Sequence, residues 1–396
     1  MTSILDGIKV LDFTQVYAGP FCTLMLRNFG AEIIKVERPG SGDLTRNDWP
    51  HTEGHEGGNY IILNRGKQSL TLDLKSEKGR GIIKDLVKQV DVLVENFSPG
   101  TMDKLGLNSE EMCALNPELI YASISAYGQT GPYRDRPGFD PVSQAMGGMT
   151  AVTGFPEEPV RCGVSIADLS SGLFAATSIM GALIHRMKTG EGQVIDISMQ
   201  EAIWTLTSVE FAGYWFLANQ EPPRLGNGHA AMIPCNVYKT TDGGLFIAAG
   251  VLDQVRRLYR AMGREDLIDS PLGGNQNLRI QHREEINEAI SAWTQNKTTE
   301  QVMEILQAAD VPCSRVPAFG EVCNDPQLIS RNAIIEIEQD ISGKVKVPGS
   351  IFKLSKTPGK IDYPAPFLGQ HNVDILAGML GYSEADINRL AGEGVI

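Results

Sequence analysis

Apolar and polar positions in the first half of the chain alternate between two periods. Short β-rich apolar runs stand at residues 8–13, 31–36, 92–96, 119–126 and 193–199. Between them lie segments with helical spacing. These are 21–29, which stops at Gly30, 79–89 with Ile82, Ile83, Leu86 and Val90 in step, and the long apolar stretches 168–187 and 201–218. Gly19-Pro20 reads as the turn ahead of the first helix. Strands alternating with helices predict an α/β fold with a parallel, doubly wound, Rossmann-like sheet. The style changes after the turn-rich stretch 221–228. Residues 236–240 and 245–249 flank Asp242-Gly243 as a β-hairpin. Helical patterns run on to 309, strand formers fill 343–352, and helices are predicted at 372–380 and 384–392.

A length of 396 residues suits two or three domains. The net charge of −13 argues against nucleic acid or an anionic membrane surface as the main partner. That acidity is uneven. The first 104 residues hold 13 basic against 14 acidic side chains, and the remainder 22 against 34. A polyphosphorylated ligand on the first quarter is therefore compatible with it. The cysteines (Cys22, Cys113, Cys162, Cys235, Cys313, Cys323) form no CxxC and no zinc spacing, so a reducing compartment and no metal are expected. Met1-Thr2-Ser3-Ile4-Leu5-Asp6 lacks a signal-peptide pattern, and no unbroken run of about 18 apolar residues occurs. A cytoplasmic protein without a membrane span is the expectation.

The usual chemistry of a parallel sheet is missing. There is no dinucleotide fingerprint, no Walker A loop and no G-x-S-x-G; Gly40-Ser41-Gly42 follows Arg38-Pro39 and lacks the third glycine. Four segments remain. Tyr17-Ala18-Gly19-Pro20 is either a plain βα turn or, because such sheets bind ligands beyond the carboxyl ends of their strands, a ligand contact. Arg38, in the polar loop 37–43, is either solvated or a phosphate partner. Asn64-Arg65-Gly66-Lys67 with Asp73-Leu74-Lys75, then Asn96-Phe97-Ser98, offer capped turns with Phe97 in the core, or an aromatic platform for a planar ring. Asp168, ahead of a long apolar helix, is either its N-cap or a carboxylate kept ionised by the helix dipole and available as a nucleophile. Of the histidines (His51, His55, His185, His229, His282, His371), none has metal spacing; His229, after Gly226-Asn227-Gly228, is the one of interest.

In order and spacing these segments resemble one family, the class III coenzyme A transferases or CaiB/BaiF family. The resemblance runs from Leu5-Asp6-Gly7-Ile8 and Ala18-Gly19-Pro20 through 30–39, 64–67, 91–97 and Gly138-Phe139-Asp140, with Gln144 and Gly147-Gly148, to Pro366-Phe367-Leu368-Gly369 and Leu380-Gly381-Tyr382. It implies a large CoA-binding α/β domain with an inserted small α+β domain. The domains fall at 1–200, a linker helix and junction at 201–225, the small domain at 226–325, and a return to the large domain at 326–396. It also implies two such chains interlocked as a homodimer.

By the same resemblance Asp168 is the nucleophile, Asp140 supports it, and CoA passes from an acyl-CoA to a free carboxylic acid through aspartyl anhydride and aspartyl-CoA thioester intermediates. Acyl-CoA is a substrate and no cofactor is held permanently. The implied CoA contacts are Tyr17, Ala18, Arg38, Leu72, Asp73, Leu74, Lys75, Asn96, Phe97, Ser98, Lys104, Arg136, Pro137, Gly138 and Phe139. Formyl-CoA/oxalate transferases carry Gln at the Tyr17 position and a Gly-rich loop absent here, so that specificity is not expected. α-Methylacyl-CoA racemase, of the same fold, places a histidine where this chain has Phe139, which cannot carry a proton. A non-catalytic CoA-binding protein is the other alternative. Arg134, Arg136 and Arg161 either hold the second carboxylate of a dicarboxylate such as succinate or are surface residues.

Overall fold

The computed structural model describes residues 3–51, 56–340 and 342–396; Met1, Thr2 and His55 of the sequence reading lie outside these. The chain divides into two compact units. One comprises Met1–Met149, Cys162–Gly213 and Pro326–Ile396, and the other Thr150–Arg161 and Tyr214–Asp325.

The first unit is built on a six-stranded sheet. Its strands are β1 (Lys9–Asp12), β2 (Glu32–Glu37), β3 (Gln68–Thr71), β4 (Val92–Glu95), β5 (Ile120–Ser125) and β6 (Gln193–Ser198). They lie in the order β3-β2-β1-β4-β5-β6, every pair parallel. Side chains of a strand alternate between faces. Val92 and Val94 join one core and Leu93 the other, so both faces are covered and the central strands read as continuous apolar runs. The helices on the first face are α1 (Ala18–Asn28) and, later in the chain, Ile166–Thr189. On the second, α2 (Glu77–Val87) buries Ile82, Ile83 and Leu86, and its N-cap Ser76 accepts the Gly79 amide hydrogen at 2.9 Å. The short helices α3 (Thr101–Leu105), α4 (Ser109–Leu115) and α5 (Asp140–Met146) follow in the chain, then α6 (Ile166–Thr189) and α7 (Met199–Ala218).

Helix α1 starts at Ala18, so Gly19-Pro20 is not a turn but part of its first turn. Proline is tolerated there because first-turn amides have no intrahelical acceptor. Helix α6 starts at Ile166, two residues before the expected start, with Ser165 as N-cap. Asp168 is its third residue, and the N-cap reading of Asp168 is incorrect. Gly172 lets α6 approach α1; a Cβ there would stand 2.5 Å from the Ala18 carbonyl oxygen. By length and composition α6 is apolar enough to cross a membrane, with mean hydropathy 1.4 over an 18-residue window, half of which is buried in the fold. Serines, threonines and glycines break the apolar run along this helix while lowering the average little.

The second unit contains the expected hairpin, β7 (Cys235–Lys239) with β8 (Gly244–Ala248), and β9 (Cys313–Arg315) pairs antiparallel on the far side of β8. Its helices α8 (Leu252–Ala261), α9 (Arg283–Thr294) and α10 (Thr299–Ala308) supply Val255, Leu258, Ile286, Ile290, Val302 and Leu306 to a separate core. In the C-terminal part of the first unit β10 (Ile334–Gln339) pairs antiparallel with β11 (Gly343–Pro348). Helices α11 (Asn372–Leu380) and α12 (Glu384–Gly392) cover the α2 face of the sheet.

Candidate active site

The strand order turns back between β1 and β4, and loops leaving the carboxyl ends of these neighbours open a crevice. A cavity of about 350 Å³ lies there. The β1–α1 loop contributes Gln15, Val16, Tyr17 and Ala18, and the loop after β4 contributes Asn96, Phe97, Ser98 and Pro99. The two loops are clamped to each other. The Gln15 amide donates to Asn96 Oδ1 at 2.8 Å, and Asn96 Nδ2 donates to the Gln15 carbonyl at 2.9 Å. Segments after β5 add Ala126, Arg134, Arg136, Gly138 and Phe139, and Met199, the first residue of α7 just past β6, joins them. Asp168, from the first turn of α6, completes the lining.

Val16 has φ 69°, a left-handed backbone that a β-branched residue seldom adopts. Its surroundings hold it there. The Val16 amide donates to Asp43 Oδ1 at 3.3 Å, Asp43 pairs with Lys35 at 2.8 Å, and Lys35 Nζ donates to the Thr14 carbonyl at 2.6 Å. Below this lies a second buried pair, Lys67 with Asp12 at 3.0 Å. Burial lowers the Lys67 pKa to about 8 against the raising effect of Asp12. Lys67 therefore still carries its charge at pH 7. Arg65 is also buried, donating to the carbonyls of Ile62 and Pro348. The Asn64-Arg65-Gly66-Lys67 segment is thus a support beneath the loops, not part of the cavity wall.

Asp168 stands beside a second carboxylate. Asp140, the first residue of α5, is buried, and its Oδ1 accepts from the amides of Ala167 at 2.8 Å and Asp168 at 3.4 Å. Ser165 makes no side-chain cap, so Asp140 caps α6 from 27 residues upstream. Gln144 fixes Asp140 in turn, donating from Nε2 to Asp140 Oδ2 at 2.7 Å while its Oε1 accepts from the Cys162 amide at 2.9 Å. Burial first, and then the negative charge of Asp140, raise the Asp168 pKa to about 7. Against the expectation of a carboxylate kept ionised by the helix dipole, burial and the Asp140 charge both favour the neutral form. Tyr17, also in the lining, accepts at Oη from Asn59 Nδ2 at 2.7 Å, which leaves the phenol its own hydrogen to donate.

Of the expected contacts, Tyr17, Ala18, Asn96, Phe97, Ser98, Arg136, Gly138 and Phe139 line this cavity with Asp168. Phe97 packs on the second core and also lines the cavity. Arg38, Lys75 and Lys104 are exposed and follow β2, β3 and β4 without lining it. Leu72 is buried in the second core with Leu74 against it, Asp73 donates its amide hydrogen to the Val395 carbonyl, and Pro137 is exposed. Gln15, Val16, Leu44, Pro99, Ile124, Ser125, Ala126 and Met199 were not anticipated. Most of them sit at or just past a strand's carboxyl end, where the topological rule alone would have found them.

The sequence profile of CoA-transferase family III matches residues 5–372. The chain belongs to that family. It is a class III CoA-transferase of the CaiB/BaiF type, which transfers CoA between acids. It is 39% identical over 394 residues, 99% of this chain and 98% of the relative, to the succinyl-CoA–D-citramalate CoA-transferase of Chloroflexus aurantiacus. It is 36% identical over 394 residues, 99% of this chain and 90% of the relative, to the human succinyl-CoA:glutarate CoA-transferase. A crystal structure of a CaiB/BaiF family protein from Brucella suis superposes with a TM-score of 0.85 at 32% identity, covering 96% of this chain and 100% of that one. The family relation brings CoA thioesters as substrates of this transferase.

Proposed function

We propose that the β1/β4 cavity is the acyl-transfer site and that Asp168 is its nucleophile. The observation that carries this reading is the partly buried carboxylate of Asp168 in the wall of a cavity at the sheet's switch point. An Asp168 oxygen attacks the thioester carbonyl of the donor, the C–S bond breaks, and CoA thiolate leaves an aspartyl–acyl anhydride. The thiolate attacks the aspartyl carbonyl, which frees the donor acid and forms an aspartyl-CoA thioester. The acceptor carboxylate attacks that thioester to give a second anhydride and thiolate. The thiolate then attacks the acceptor's acyl carbon, releasing the new acyl-CoA and the Asp168 carboxylate. Asp140 holds the first turn of α6 and tunes Asp168 by its charge. Tyr17, Ala18 and Asn96, Phe97, Ser98 face the CoA moiety, with Arg38, Lys75 and Lys104 as cations for its phosphates farther along the same sheet edge.

The acids are dicarboxylic in this reading. Arg134 and Arg136 line the cavity with Asp168, and two guanidinium groups suit a distal carboxylate. The two relatives described above are named for succinyl-CoA with citramalate or glutarate. Arg161 is not among the residues that line this cavity. The racemase alternative finds no support, because Phe139 in the cavity wall offers no proton carrier.

A homodimer is the proposed assembly. Within the first unit, Met187 of α6 and Val209 of α7 are 84% and 83% exposed, and Ile184 and Trp204 are exposed beside them in sequence. Such apolar side chains support burial against a second copy.

The test is to add succinyl-CoA without acceptor and quench into hydroxylamine. Mass spectrometry should find a hydroxamate at Asp168, absent from Asp168→Asn. An unmodified Asp168 in an enzyme that still turns over would overturn the assignment.

A further inference from the structure

We infer that Glu95 is a positioning residue for acyl-CoA: its buried carboxyl holds the loop of Asn96, Phe97 and Ser98 in the shape that walls the cavity, and its ionisation weakens the grip on an anionic thioester. The inference rests on the reading that this cavity takes acyl-CoA. Glu95 is the last residue of β4, only 4% exposed, and no step of the proposed chemistry uses it. Its Oε2 accepts the Phe97 amide hydrogen at 2.8 Å. On β5 it pairs with Ser123, whose side chain is hydrogen-bonded to it. The next residue, Asn96, carries both bonds of the clamp to Gln15. The loop is therefore pinned from beneath by Glu95 and from the side by Gln15.

The charges that act most on Glu95 are Asp196 from β6 and Asp103 from α3, and Glu95 in turn acts on the Tyr121 phenol of β5. None of them supplies a positive charge. Burial is the main cause that moves the Glu95 pKa up to about 7, with Asp196 and Asp103 adding to it against the bonds from Ser123 and Phe97. The protonated carboxyl still accepts from Phe97 through one oxygen and can donate to Ser123 through the other. The loop is thus held in both states, and the change is a negative charge appearing behind the cavity. A polyanionic ligand favours the neutral state, so affinity falls as the pH rises past neutrality.

The test compares wild type, Glu95→Gln and Glu95→Ala in steady-state kinetics with succinyl-CoA, and in calorimetric titration with CoA, from pH 6 to 8.5. Glu95→Ala orphans the Phe97 amide and should raise KM for the thioester about tenfold while kcat stays within about twofold. Glu95→Gln, neutral throughout, should keep the low-pH KM and lose the part of the rise due to Glu95; ionisation of the ligand's own phosphate is common to both proteins. An unchanged KM in Glu95→Ala, or a Glu95→Gln profile that superposes on wild type, would overturn the inference. If Glu95→Ala does not fold, the Glu95→Gln profile decides. Failure of the underlying reading appears separately, as wild-type protein that takes up no CoA at any pH.

Discussion

Asp140 caps the helix that carries Asp168. Its Oδ1 accepts the Ala167 amide hydrogen at 2.8 Å and lies 3.4 Å from the Asp168 amide nitrogen. One carboxylate therefore both fixes the backbone under the other and opposes the other's ionisation. In the proposed reading, Asp168 is a nucleophile whose ionisation burial and the Asp140 charge both oppose.

The first prediction concerns that ionisation. Only ionised Asp168 attacks, and its pKa is raised to about 7. The kcat/KM for acyl-CoA should therefore rise about tenfold per pH unit below a limb near 7 and stop rising above it, where in Glu95→Gln, free of the Glu95 effect on KM, it should be level. Stability runs the other way. A carboxyl whose folded pKa is raised favours the fold less as pH climbs from its unfolded value toward 7. Asp168→Asn should lose transfer by at least about a thousandfold and melt no lower than wild type at pH 8. A marked drop in melting temperature would show that Asp168 is a structural residue.

Asp140 separates into two functions by substitution. Asp140→Asn keeps an oxygen for the Ala167 amide but removes the charge, so the pH–rate limb should move to lower pH, while its new amide group faces the Gln144 Nε2 donor and should lower the melting temperature by a few degrees. Asp140→Ala removes the cap as well and should cost about 1 kcal/mol in denaturant titration. Identical pH limbs in wild type and Asp140→Asn would refute the electrostatic role.

Arg136 bears on the choice of acid. Its guanidinium lies 3.8 Å over the Tyr133 ring, which orients it at the cavity wall. Arg136→Gln should reduce the preference for succinyl-CoA over butyryl-CoA, as a ratio of kcat/KM, by about tenfold or more, the value of one charge-assisted hydrogen bond. A preference that survives in Arg136→Gln would exclude Arg136 as the distal-carboxylate partner.

The buried pair beneath the loops is a stability element. Lys67→Met leaves Asp12 buried near Lys35 without its nearest cation and should cost about 3–5 kcal/mol in urea unfolding. The double variant Asp12→Asn with Lys67→Met should recover part of that loss. No recovery would mean that the two charges are not energetically coupled.

Sedimentation tests the assembly. The exposed apolar side chains of α6 and α7 predict a dimer at micromolar concentration, and Val209→Asp should shift the distribution toward monomer. A wild-type protein that is monomeric at all concentrations would remove the proposed partner.

Much of this was legible in residue order. Period-2 and period-3.6 patterns are local properties of the chain, so five of the six parallel strands, the β7–β8 hairpin and the two C-terminal helices were found close to their actual bounds. The short strand β3, only Gln68–Thr71, was not, because four residues of mixed polarity carry no period. The order and spacing of the motifs sufficed to name the family, and Asp168 and Asp140 could be singled out in advance. Tertiary structure decided what these residues are. Asn64-Arg65-Gly66-Lys67 stood among the candidate ligand segments until folding buried Arg65 and Lys67 away from the cavity wall. Asp168 looked like a cap until Asp140, 27 residues upstream of the amide it caps, took that place. The pKa of Asp168 and the placement of Glu95 depend on burial and on charges brought together from distant segments. Desolvation and Coulomb energy follow distance in space, and a sequence lists only distance along the chain.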